Sequence, residues 1–138
     1  MAEYTNNAIQ LVQPNQSVQF TDTVVDGCDL IYHRNGSGIV KLYPKNNTCS
    51  TRFIVAFSGN IAIPEDQTAS ELDFAITIDG EPVNSTLMRA TPGNNGYWNV
   101  ATFAYIYVKR PCCSTICVRN VGTIPTNLQN ANLIVKVA

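Results

Sequence analysis

The side chains best suited to chemistry here are five cysteines, Cys28, Cys49, Cys112, Cys113 and Cys117, and a single histidine, His33. Thiolates and an imidazole are the ligand set of structural zinc. Their spacing opposes a metal site: there is no paired Cys-x-x-Cys knuckle, and adjacent strand residues such as Cys112 and Cys113 point to opposite faces. Disulfides, within or between chains, and free thiols are the two readings left. The count is odd, so at least one thiol is free or paired with another chain. Alternation further predicts that one of Cys112 and Cys113, but not both, faces a protein interior, leaving the other to meet Cys28, Cys49 or a neighbouring chain.

One histidine leaves little room for a hydrolase in which imidazole takes the proton of a nearby nucleophile. His33 follows Ile31-Tyr32 and precedes Arg34 and the Asn35-Gly36 turn, which places it at a strand end, solvated or hydrogen-bonded. Glu65 and Asp66, within Pro64-Glu65-Asp66-Gln67, have Glu71, Asp73, Asp79 and Glu81 as potential partners for an acid pair or a calcium ion. Calcium-loop spacing is missing, and solvated loop carboxylates are expected instead. No catalytic residue, metal or cofactor is assigned, and the chain is expected not to be an enzyme. The aromatic residues Phe53, Phe57, Trp98, Phe103, Tyr105 and Tyr107 suit core and subunit packing, with a sugar-stacking platform as the alternative. The loop Gly93-Asn94-Asn95-Gly96-Tyr97 is the expected ligand loop: glycine and asparagine permit unusual backbone shapes, Asn94 and Asn95 offer amides, and Tyr97 offers a ring.

The elements that must position these residues are short strands. Turn-forming clusters recur at close intervals: Pro14-Asn15, Asp26-Gly27, Asn35-Gly36, Pro44 to Asn47, Ser58-Gly59-Asn60, Pro64 to Asp66, Asp79-Gly80, Pro92 to Gly96, Arg110-Pro111 and Asn120 to Pro125. No convincing amphipathic helix separates them, so the pattern predicts an all-β sandwich, jelly roll or barrel. The clearest strand is Glu71 to Ile78, with Leu72, Phe74, Ile76 and Ile78 on one face; Asp79-Gly80 then turns the chain into a return strand around Pro82 to Ala90. Tyr97 to Val108 differs. Trp98, Val100, Ala104, Ile106 and Val108 alternate with Tyr97, Ala101, Phe103, Tyr105 and Tyr107, so both faces are apolar. A strand of an antiparallel sandwich normally shows one face to water, so its second face needs a cover, and a partner subunit is the simplest.

Composition narrows the function. At 138 residues the chain fits one domain, 1–138, with its core at about 8–138. Only 14% of residues are charged, against about 25% in an average soluble domain, so amides and hydroxyls must supply much of the polar surface. Net charge is −1 and no basic stripe is present, which argues against nucleic acid as a partner. MAEYTNNAIQ lacks the pattern of a signal peptide and no apolar run reaches the ~20 residues of a membrane span, so export by lysis or an unusual route is expected, without membrane insertion. The sequons at Asn15, Asn35, Asn46 and Asn84 are read as chance products of an Asn-, Ser- and Thr-rich chain.

Four features resemble the tumour necrosis factor-like jelly roll, specifically its complement globular-head branch. They are Gly36 to Tyr43 leading into Arg52 to Phe57; the hairpin Phe74 to Val83 around Asp79-Gly80; the strand Tyr97 to Val108 followed by Cys113 to Asn120; and a last strand, Ala131 to Val137. The resemblance covers about Ala8 to Ala138. It implies about ten strands in two sheets, a homotrimer packed by aromatic residues, here Phe103, Tyr105 and Tyr107, and binding at outer loops or apex; some complement-type relatives carry calcium at the subunit axis. The chain also resembles small standalone proteins of Gram-positive gut bacteria and their phages. A structural or interaction protein decorating a phage head or fibre, or a bacterial surface, is therefore expected. The alternative is a secreted carbohydrate- or receptor-binding module. Partners would be other virion or surface proteins and glycans, and the location a virion or the cell exterior.

Overall fold

The alternating runs become strands in the computed structural model, which describes residues 1–93 and 96–138. One six-stranded antiparallel sheet holds β1 (Ala2–Asn6), β2 (Gln10–Val12), β3 (Asp22–Val25), β6 (Ser50–Ala62), β10 (Trp98–Lys109) and β12 (Thr126–Val137). Its order is β10-β6-β12-β1-β3, with β2 also paired to β12. The second holds β4 (Ile31–His33), β5 (Val40–Leu42), β7 (Leu72–Ile78), β8 (Glu81–Pro82), β9 (Met88–Ala90) and β11 (Ser114–Asn120), in the order β4-β5-β11-β7-β8 with β9 also on β7. Sequence neighbours are thus split between sheets: the fold is a jelly-roll sandwich. Its only helical piece among the described residues is a single 3₁₀ turn, Asn84–Thr86.

Period-two alternation decides what each strand buries. On β6, Phe53, Val55, Phe57 and Ile61 point into the sandwich, while Arg52, Ile54, Ala56, Ser58 and Asn60 point out. Across the interior stand Phe74 and Ile76 of β7 and Ile116 and Val118 of β11, and Phe20 meets Phe57 edge-on at 6.3 Å. Burying each such side chain contributes about 1.5–3 kcal/mol.

Several expectations need correction. Ser58-Gly59-Asn60 reads as a turn, yet β6 runs straight through it for thirteen residues. The glycine serves packing: a methyl group there would stand 3.3 Å from Phe57 Cζ and 3.6 Å from Leu128 Cδ1. Gly59→Val is therefore expected to destabilise the subunit by about 1–3 kcal/mol through overpacking, read as a lower denaturant midpoint with an unchanged slope. The return strand after Asp79-Gly80 is broken into β8, the 3₁₀ turn and β9. The turn itself has the expected positive φ at both residues, 50° and 87°. On β7, Ala75 and Thr77 are buried although they face outward, flanked by Arg119 and Cys117 across the register.

The last strand starts at Thr126 rather than Ala131, because a bulge at Asn130, with φ 57°, interrupts the pattern without ending the strand. Thr126 and Leu128 point inward before the bulge, and Ala131, Leu133 and Val135 after it. The core also begins before Ala8: β1 inserts between β12 and β3 and buries Ala2, Tyr4 and Asn6. Where the chain leaves β2 to cross between the sheets, fully buried Asn120 holds it. Its Nδ2 donates to the carbonyls of Val12 and Ile124, both at 3.0 Å, and its Oδ1 accepts from Gly122 N at 2.9 Å.

Candidate functional site

β10 lies at the edge of its sheet, paired along its length with β6 alone. Val100, Ile106 and Val108 go into the core, which leaves Ala101, Phe103, Tyr105 and Tyr107 on the outer face. Phe103 is 61%, Tyr105 52% and Tyr107 60% exposed, so three large rings stand in water in a row. Two of them are braced by neighbours. Phe103 and Tyr105 meet edge-on at 6.0 Å, and the Arg52 guanidinium sits 5.1 Å from the centre of the Tyr105 ring.

Cross-strand register extends this strip: Phe103 stands opposite Ala56, Ala56 opposite Ile134, and Tyr105 opposite Ile54. Because Ala56, Ser58 and Ala101 are small, the sheet dips beside the Phe103 ring into a groove of about 390 Å³, closed by Asn132 and Ile134. Asn132 is held by donating to Glu3 Oε2 at 2.6 Å. The groove is apolar and carries no ionisable group. It suits a hydrophobic side chain rather than a reacting substrate.

A second hollow, of about 490 Å³, opens at the end of the sandwich where β6 finishes and β10 and β12 start. Its floor is Ala62, Ile63 and Pro64, all buried, and its rim carries Glu65, Gln67, Tyr97 and Asn127. Gln67 N donates to Pro64 O at 3.0 Å, so a tight turn holds Glu65 and Gln67 beside the floor. Tyr97, the last residue of the expected ligand loop, is 44% exposed here. Asn94 and Asn95 lie outside the described residues. Trp98, expected on the face of Val100, is exposed because it lies beyond the last inward-facing layer of β10. Gln67 and Asn127 carried no signal in the sequence, since distant turns bring them to Tyr97.

The cysteines behave differently from expectation. Cys112 and Cys113 are bonded to each other, and neither enters the sandwich. They precede β11, which begins at Ser114, so strand alternation does not govern them. Neither pairs with Cys28 or Cys49, which are exposed thiols; Cys117 is a half-buried thiol 2.8 Å from Thr77 Oγ1. His33 ends β4, its Nε2 donating to Ser37 O at 2.8 Å and its ring lying against Tyr4 at 4.3 Å. Burial, reinforced by the Asp26 carboxylate and by Cys28, pushes the Tyr4 phenol above its usual range and keeps it neutral.

The acidic residues do not converge. Glu71 and Asp73 share Arg89, at 2.9 and 3.0 Å, and Asp79 caps β11 by accepting from Thr115 N at 2.9 Å. No group of three metal-ligating side chains gathers among the described residues.

Comparison with known proteins yields no matching family model and no matching curated protein. Solved structures do match. The globular domain of zebrafish complement 1qA superposes with a TM-score of 0.65 at 14% identity, covering 99% of this chain and 94% of that one. Murine APRIL, crystallised at pH 5.0, superposes with a TM-score of 0.67 at 9% identity, covering 99% and 98%. The chain thus has the jelly-roll fold of these two structures.

Proposed function

We propose that this chain is a non-enzymatic interaction protein: a homotrimer of jelly rolls, carried on the exterior of a phage particle or a bacterial surface. The observation that carries the reading is the exposed row Phe103, Tyr105 and Tyr107 beside an apolar groove. Water-exposed aromatic area of this extent is the signature of an interface core, and a groove next to a row of rings lets one copy insert a ring into the next. Head-to-tail contacts close into a ring when the rotation between copies fits, and three copies is the number the tumour necrosis factor-like resemblance implies. An interaction role also accords with the engagement of His33 and with the scattered carboxylates.

The exterior setting carries forward the phage or gut-bacterial resemblance expected from the sequence, and a surface rich in amides and hydroxyls accords with it. Light scattering at micromolar concentration should give about three times the 15.1 kDa chain mass, and mass spectrometry should find the chain in purified virions or cell envelopes. A monomer removes the assembly; a chain absent from both fractions removes the setting.

A further inference from the structure

We infer that the hollow at the β6–β10 end, rimmed by Tyr97, Glu65, Gln67 and Asn127, is a binding site for a neutral saccharide. It belongs to one subunit and stands whether or not copies assemble. A pyranose has one face of C–H groups and a rim of hydroxyls, each both donor and acceptor. The hollow offers the matching set: an exposed ring at Tyr97 and a buried apolar floor of Ala62, Ile63 and Pro64 for the C–H face, and polar groups around the rim for the hydroxyls. Its volume of about 490 Å³ lies inside the ~300–1,000 Å³ range of small-ligand sites.

Among the described residues, the polar side chains of the rim bond to none. The nearby amide of Asn99 is in use: it donates to Gly59 O and to Asn60 Oδ1. The side chains of Glu65, Gln67 and Asn127 have no such bond to another described residue. Together they present a charged acceptor and two amides, each of which donates and accepts.

That inventory selects among ligands. Among the described residues no lysine or arginine lines the hollow, and Glu65 disfavours an anion, so the charge pattern favours neutral ligands over phosphates, uronic acids and sialic acids. An ammonium ligand would satisfy Glu65 and lie over Tyr97. It carries no acceptor, however, so the NH₂ groups of Gln67 and Asn127 would gain nothing from it. Hydroxyl pairs use both halves of each amide.

The test uses the intact protein on an array of neutral mono- to tetrasaccharides. The best ligand is then titrated by NMR, with choline and an unrelated neutral peptide as parallel probes. Millimolar binding of a neutral sugar is expected, with shifts confined to residues around Tyr97, Glu65, Gln67 and Asn127. Tyr97→Ala should weaken it about tenfold, Tyr97→Phe should keep it, and Glu65→Gln should weaken it about tenfold by removing the charged acceptor. Both positions are exposed, and unchanged thermal unfolding shows that each variant is folded. The assembly-broken variant Phe103→Glu should bind with the same affinity per subunit, which separates failure of this site from failure of the trimer. Absence of sugar binding, sugar binding indifferent to Tyr97→Ala, or binding of choline or peptide in place of sugar overturns the inference.

Discussion

Phe103→Glu should run as a folded monomer, where the proposed trimer of the unmodified chain should run at about three times the chain mass. The substitution removes the burial of one aromatic ring per contact, about 1.5–3 kcal/mol, and places an unpaired carboxylate in an apolar groove, which costs several kcal/mol more. Each contact should weaken by more than about 100-fold, enough to abolish assembly at micromolar concentration. The subunit should keep its fold, because the Phe103 side chain points away from the core and leaves Ile106 and Val108 in place. Light scattering and a denaturant titration of the same sample check both halves. A variant that stays trimeric would put the interface elsewhere; one that unfolds would give Phe103 a core role that its exposure contradicts.

The largest effect on stability is expected at Asn120. Asn120→Leu keeps the volume but strands the carbonyls of Val12 and Ile124 and the amide of Gly122, at about 1–3 kcal/mol for each unsatisfied group, for a total of about 3–5 kcal/mol after partial relaxation. Asn120→Asp keeps the shape and reverses the chemistry, setting a carboxylate against two carbonyl oxygens. Burial and those oxygens raise the folded-state pKa of the new group above its unfolded value. The penalty is then full at neutral pH and shrinks as pH falls through the folded-state pKa, where a protonated carboxyl donates to one carbonyl. Denaturant midpoints of the variant and the unmodified chain should converge on acidification. A gap independent of pH would show that the aspartate escapes to water.

The parts of the fold legible in the sequence are those in which local chemistry and tertiary structure agree. The β7–β8 turn is one, since Asp79-Gly80 is both the local preference and the observed positive-φ pair. The two-faced strand β10 is another: its outer rings are apolar in the sequence and stand exposed in the fold.

Illegible parts are those in which one residue type serves two purposes. Gly59 signals a turn in isolation, but its lack of a side chain makes room for Phe57 and Leu128 inside a long strand. Asn130 hides five residues of β12 because a bulge shifts the inward parity and mimics a strand start. β1 carries one aromatic in five residues, too few to stand out. At the end hollow, Tyr97 was visible as a ring in a glycine-rich loop, whereas Gln67 and Asn127 become neighbours only once the sandwich closes. Cys112 and Cys113 lie in the loop before β11, where strand alternation does not set which way a side chain faces.

The pairing of β1 with β12 sets how the subunit bears mechanical load. Ala2 stands opposite Val135, so both chain ends emerge side by side at the pole opposite Tyr97. Antiparallel hydrogen bonds lie across the strands, and traction applied between such ends loads them one pair at a time, as in opening a zipper. Force applied between Ala2 and Val135 should peel β1 from β12 at low load, starting with Ala2 and Tyr4.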